Sequence, residues 1–141
     1  MQINTDGFLT ISKGVQLKPY RARAFKEVEF ITEAELNELV GTTAIVDVEL
    51  YKNFYIVSFK FQNGKYLVLE SPFNPHLLSW ILHNYLTVGF NSIKYDLPII
   101  WKSYTNQNIE QLQRLSDTLI NGIWWQEAAK EFDFTVHPTN H

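Results

Sequence analysis

The stretch FYIVSFKFQNGKYLVLES, residues 54 to 71, constrains the fold more than any other part of the chain. Two runs rich in β-branched and aromatic residues flank Asn63-Gly64, and Asn-Gly between such runs is a strong short-range hairpin signal. A third strand-like run, AIVDVEL at 44 to 50, comes just before them, so the three are expected to form an antiparallel meander. PHLLSWILHNYL at 75 to 86 then places Leu77, Leu78, Ile81, Leu82 and Tyr85 at helical spacing. TVGF at 87 to 90 reads as a short buried strand. LPIIWKSYT at 97 to 105 starts a helix, with Pro98 near the first turn, where its missing N–H is tolerated. Residues 108 to 132 read as helical with a break near Ser116 or Gly122. Upstream, ITEAELNELVG predicts a short helix: Thr32 as N-cap, Glu35 completing a capping box, Leu36, Leu39 and Val40 as the apolar face, and Gly41 as the stop. Residues 1 to 30 read as irregular or weakly stranded, interrupted by Gly7, Gly14 and Pro19. Strands, helix, strand, then helices make the class α/β.

Composition narrows the function classes. A chain of 141 residues fits one domain with a real core, and 45% hydrophobic with 15% aromatic residues argues for an ordered globular protein. There is no cysteine, which excludes disulfides and thiolate chemistry, so a metal would be held by oxygen or imidazole. No apolar run reaches the roughly 18 residues of a membrane span, and MQINTDGFLT lacks the basic start and apolar core of a secretory signal. A soluble, intracellular protein without a membrane partner is expected. The net charge of −3 speaks against a broadly basic duplex-binding surface. One local cluster, LKPYRARAFK at 17 to 26, groups Lys18, Arg21, Arg23 and Lys26 with Tyr20 and Phe25. It reads either as a solvated segment or as a phosphate-contacting arm.

The strand-like IVDVEL carries two carboxylates. Residues two apart on a strand share a face, so Asp47 and Glu49 point one way while Val46 and Val48 point the other. Buried together, two like charges repel and are costly to desolvate; a divalent cation reverses that sign. Mg²⁺ needs only one or two carboxylates plus substrate phosphates. The alternative is a strand edge with solvated carboxylates. Further on, NSIKYD places Asn91 just after a predicted strand and Asp96 at a predicted helix start, where the unpaired N–H groups favour an acid. By itself, Asp96 is equally a simple cap.

Together, D-x-E on the first strand of a meander and N-x-x-x-Y-D at a later strand–helix join resemble the motifs of the DnaQ-like 3′–5′ exonucleases. These have the ribonuclease H-like fold and include the proofreading domains of family B DNA polymerases and related phage exonucleases. The resemblance covers roughly residues 44 to 121. It implies a ribonuclease H-like mixed sheet over 44 to 141, with 1 to 43 as an N-terminal extension carrying the short helix. It implies Asp47, Glu49 and Asp96 as catalytic and metal-binding carboxylates, with Glu49 also touching the terminal 3′ hydroxyl. It implies Asn91 and Tyr95 as residues that position the strand end, and the aromatic rings near that motif, Phe90 and Tyr95, are expected to stack on terminal bases. The cofactor would be Mg²⁺ or Mn²⁺ at a two-metal site, the partner a single-stranded DNA 3′ end, and the setting the cytoplasm of a bacterial or phage-infected cell.

The sequence departs from that pattern at one place. The family's last Asp, in Y-x-x-x-D or H-x-x-x-x-D form, has no match after Asp96. Asp117 and Asp133 are the only later aspartates, and Asp117, in SDTLI, is expected to be an N-cap. His76 and His83 read as surface or partly buried residues of one helix, and His137 and His141 as tail residues. Two expectations follow. The chain carries the N-terminal part of such an exonuclease, folds, is weak or inactive alone, and leaves one sheet face uncovered for self-association. Or it is a catalytically inactive relative that binds a protein or nucleic-acid partner, to which the adjacent Trp124-Trp125 would contribute.

Overall fold

A computed structural model describes Gln2–Ile3, Leu9–Thr10, residues 28 to 137, and residues 139 and 141. The basic stretch 17 to 26 lies outside the described residues. Strands β1 (Gln2–Ile3) and β2 (Leu9–Thr10) pair antiparallel. They are followed by α1 (Glu33–Glu38), β3 (Thr43–Leu50), β4 (Tyr55–Lys60), β5 (Tyr66–Glu70), α2 (Pro75–Asn84) and β6 (Leu86–Val88). Then come α3 (Asp96–Ser103), α4 (Ile109–Ile120) and α5 (Trp125–Glu131). The main sheet has the order β5-β4-β3-β6: β3, β4 and β5 form the expected antiparallel meander, and β6 joins β3 in parallel after the α2 crossover. The fold is mixed α/β.

Local chemistry explains the element ends. Thr32 caps α1: its hydroxyl accepts from the Glu35 N–H at 3.2 Å while Glu35 Oε1 accepts from the Thr32 N–H at 3.2 Å. The other Glu35 oxygen accepts from Asn63 at 3.0 Å and pairs with Lys65 at 2.8 Å, which ties α1 to the hairpin. That hairpin is a turn closed from Phe61 to Lys65, with Gly64 at φ +80° in the left-handed position that needs glycine. Residues 29 to 31 run along the β5 edge, where Phe30 bridges Tyr66.

Alternation along the strands separates two faces. Ala44, Val46, Val48, Tyr55, Val57 and Phe59 are buried and meet Leu78, Ile81 and Leu82 of α2, Ile99 and Ile100 of α3, and Leu112 and Leu115 of α4 in one core. Leu36 of α1 belongs to the same core. The register places Ile45, Asp47 and Glu49 on the opposite face with Ser58, Val68, Leu86 and Val88. There Ile45 is 52% exposed and Leu86 49%. Among the described residues, the buried core lies on the first face alone.

Three sequence expectations change. TVGF is not a buried strand: β6 spans Leu86–Val88 and buries only Thr87, while Leu86 and Val88 lie on the sheet face opposite the core. The break between the late helices falls at Gly122, which takes φ +93°, and not at Ser116, which is a buried residue of α4. Asp117 therefore sits in the last turns of α4, exposed, and is no N-cap; Asn108 caps that helix, its side chain accepting from the Gln111 N–H. No helix among the described residues is long and apolar enough to cross a membrane.

Candidate functional site

Strand β3 carries Asp47 and Glu49 outward on the open sheet face, both exposed. Beyond Val88 the chain stays against β3: a Cβ at Gly89 would stand 3.1 Å from the Val46 carbonyl and 3.0 Å from Ser92 Cβ. A side chain there would sit tighter than ordinary van der Waals contact with the backbone, and glycine suits this close approach. The chain then turns sharply. Asn91 adopts φ +53°, a left-handed conformation that asparagine tolerates better than most residues. Its carbonyl accepts from the Tyr95 N–H at 3.1 Å, and the Ser92 carbonyl accepts from the Leu97 N–H at 2.8 Å, which winds the loop into α3.

Tyr95, not Asp96, occupies the N-cap position of α3, and it makes no capping bond through its side chain. Its hydroxyl instead hydrogen-bonds the Ser116 hydroxyl at 2.7 Å, fastening the loop to α4. Asp96 is the first residue of α3 and is only 5% exposed. Burial, and secondarily the charge of Asp47, push its carboxyl up from the usual range to about 7. Motif residues 49 positions apart are thus brought close enough for one charge to act on the other.

The remaining expected residues lie on the same strand and on the loop before α3. Glu49 lies two residues along β3 from Asp47, and among the described residues no three acidic or histidine side chains gather into a group able to hold an ion. Phe90 projects from the loop, 95% exposed, and Asn91 is also exposed. His76 and His83 are exposed on α2.

Two features escaped sequence reasoning. His141, expected as a tail residue, meets Thr87 Oγ1 through Nδ1 at 3.0 Å and the Ser92 hydroxyl through Nε2, and burial lowers its pKa. No local signal announces a contact across so long a separation. The second is Lys94, whose ammonium lies 5.2 Å from the Trp124 ring centroid; the adjacent tryptophans were its only hint.

A carboxyl that titrates near neutrality beside a second carboxylate can hold or release a proton at working pH, or share a cation with its neighbour. No protein-family model matches the chain, and no curated protein and no solved structure is significantly similar to it.

Proposed function

We propose that this chain carries a metal-dependent 3′–5′ exonuclease site of the DnaQ-like kind, built on a ribonuclease H-like arrangement of its mixed sheet. The observation that carries the reading is the buried Asp96, whose carboxyl is pushed up by burial and secondarily by the charge of Asp47, a residue of the other motif. Carboxylates held in this way are unfavourable unless a proton or a cation sits with them, and the donor set is all oxygen, which suits Mg²⁺ or Mn²⁺. Asp47 and Asp96 would hold the ion, with Glu49 further along the same strand toward the strand end. The chemistry such an ion supplies is activation of water and stabilisation of a departing oxygen in phosphodiester hydrolysis. The chain's own groups orient the substrate: Asn91 and the exposed Phe90 lie on the loop that leads to Asp96, where a terminal nucleotide would be received. Tyr95 fixes that loop to α4 through Ser116.

A second reading, an inactive nuclease-like protein that binds a protein or nucleic-acid partner, is favoured by the aliphatic residues exposed on the sheet's outer face, such as Ile45, Leu86 and Val88. The half-exposed aliphatic residues of the sheet's outer face would then belong to self-association or to a partner. One assay separates the readings: release of mononucleotides from a 5′-labelled single strand with Mg²⁺ or Mn²⁺. The nuclease reading expects slow trimming from the 3′ end that EDTA stops and that Asp47→Ala and Asp96→Ala each abolish. Metal-independent release, 5′-end release, or activity surviving both substitutions sinks it.

A further inference from the structure

The adjacent tryptophans have opposite fates. Trp125 turns inward, its ring centroid 5.9 Å from that of Trp101. Trp124 stays 57% exposed, and the only ring partner it has among the described residues is the Lys94 ammonium, within cation–π range. Two hollows meet at this pair. One, of about 140 Å³, runs against Gly122 and Trp125. The other, of about 360 Å³, runs against Asn91 and Ser92 and falls within the ~300–1,000 Å³ common for small-ligand sites. Among the described residues, no acidic side chain lines either hollow. Phe90, almost wholly exposed, belongs to the same loop as Asn91.

A half-exposed indole, a cation over its ring and polar groups within the same cleft are elements with which proteins bind single strands without reading sequence: bases stack and phosphates meet the positive charge. A protein partner would also use an exposed indole. It would not by itself call for a lysine held over the ring beside a cleft free of carboxylates.

We infer that Trp124 and Lys94 form a nucleotide subsite on the α4–α5 side of the Asn91 loop, with the indole stacking on one base and the ammonium meeting an adjacent phosphate. That this nucleotide precedes the end presented to Asp47 and Asp96 rests on the nuclease reading; the binding itself does not.

The test is anisotropy of a fluorescein-labelled oligothymidylate titrated with the full chain in EDTA, which reads binding whether or not the chain hydrolyses anything. Trp124→Ala is expected to weaken binding roughly 5- to 150-fold, the range of one lost base stack. Trp124→Phe restores most of it, and Lys94→Gln lowers the salt slope by about 0.7. An abasic strand binds as poorly to the parent as the intact strand does to Trp124→Ala. Cooperative melting of each variant shows that it is folded. Retained binding with no nuclease activity leaves the subsite standing and removes only the exonuclease reading. Equal affinity of parent and Trp124→Ala overturns the proposal. So does equal affinity for abasic and intact strands, or no oligonucleotide binding at all; the last result would leave the exposed indole to a protein partner.

Discussion

The two faces of the main sheet are made by alternate residues of the same strands, and they differ in almost every respect. Val46, Val48, Val57 and Phe59 face the helices and are buried. Their neighbours Ile45, Asp47 and Glu49, with Val68, Leu86 and Val88, face away and are exposed. A sheet buried on both sides reads as nearly continuous apolar runs, and one buried on a single side as alternation. This sheet is between the two. Its outer face keeps aliphatic residues on β5, β6 and the start of β3, yet places carboxylates in the second half of β3. Stability resides on one face and the candidate chemistry on the other, and the buried Asp96 connects them from the start of α3.

The largest effect expected from this contrast is on the packed face. Phe59→Ala removes a fully buried ring and is expected to cost about 3–5 kcal/mol, read as a lowered urea midpoint at unchanged slope. A comparable loss from Ile45→Ala would erase the distinction between the faces.

Asp96 comes next. Its folded pKa is raised from 3.8 to about 7, so between those values the folded state binds the proton more tightly than the unfolded state. Stability is therefore greatest at low pH within this window and falls as pH rises from about 4 to about 7, by on the order of 4 kcal/mol at most. Asp96→Asn should remove that fall and melt higher than the parent at pH 8. Asp47→Asn should shrink it only in part, because burial is the larger cause. Mg²⁺ at pH 8 should raise the parent's melting temperature and leave that of Asp96→Asn unchanged. A parent whose stability is flat across the window would show that Asp96 is not held as described.

The smallest effect sharpens the comparison. Val68→Thr on the open face is expected to change stability by no more than about 0.5 kcal/mol, measured by thermal melting. A loss several times larger would mean that this face is covered in solution. Light scattering would then tell whether a second copy of the chain covers it.

Much of the fold was legible because its signals are local. Thr32 and Glu35 lie three residues apart and cap one another. Gly64 closes the hairpin, and Gly122 separates α4 from α5, because each supplies a positive φ within its own turn. The alternation of IVDVEL correctly put Asp47 and Glu49 on one face, since a strand's period of two leaves no other choice. The same local reading failed where position in the sheet decides the outcome. TVGF has the composition of a buried strand, but among the described residues the core packs on the other face of the sheet, so Leu86 and Val88 are exposed.

The sequence by itself determined the elements, their order, and which residues share a strand face. These follow from dihedral preference, capping and side-chain period, all of which act within a few residues. Only the tertiary structure decided that the described helices gather on one face of the sheet, and that Asp96 is buried where the charge of Asp47 acts on it. It also decided that Tyr95 is turned to Ser116, and that Trp125 goes inward while Trp124 stays out beside Lys94. Each of these depends on desolvation or contact between residues brought together by packing, and neither is encoded in the spacing of any single segment.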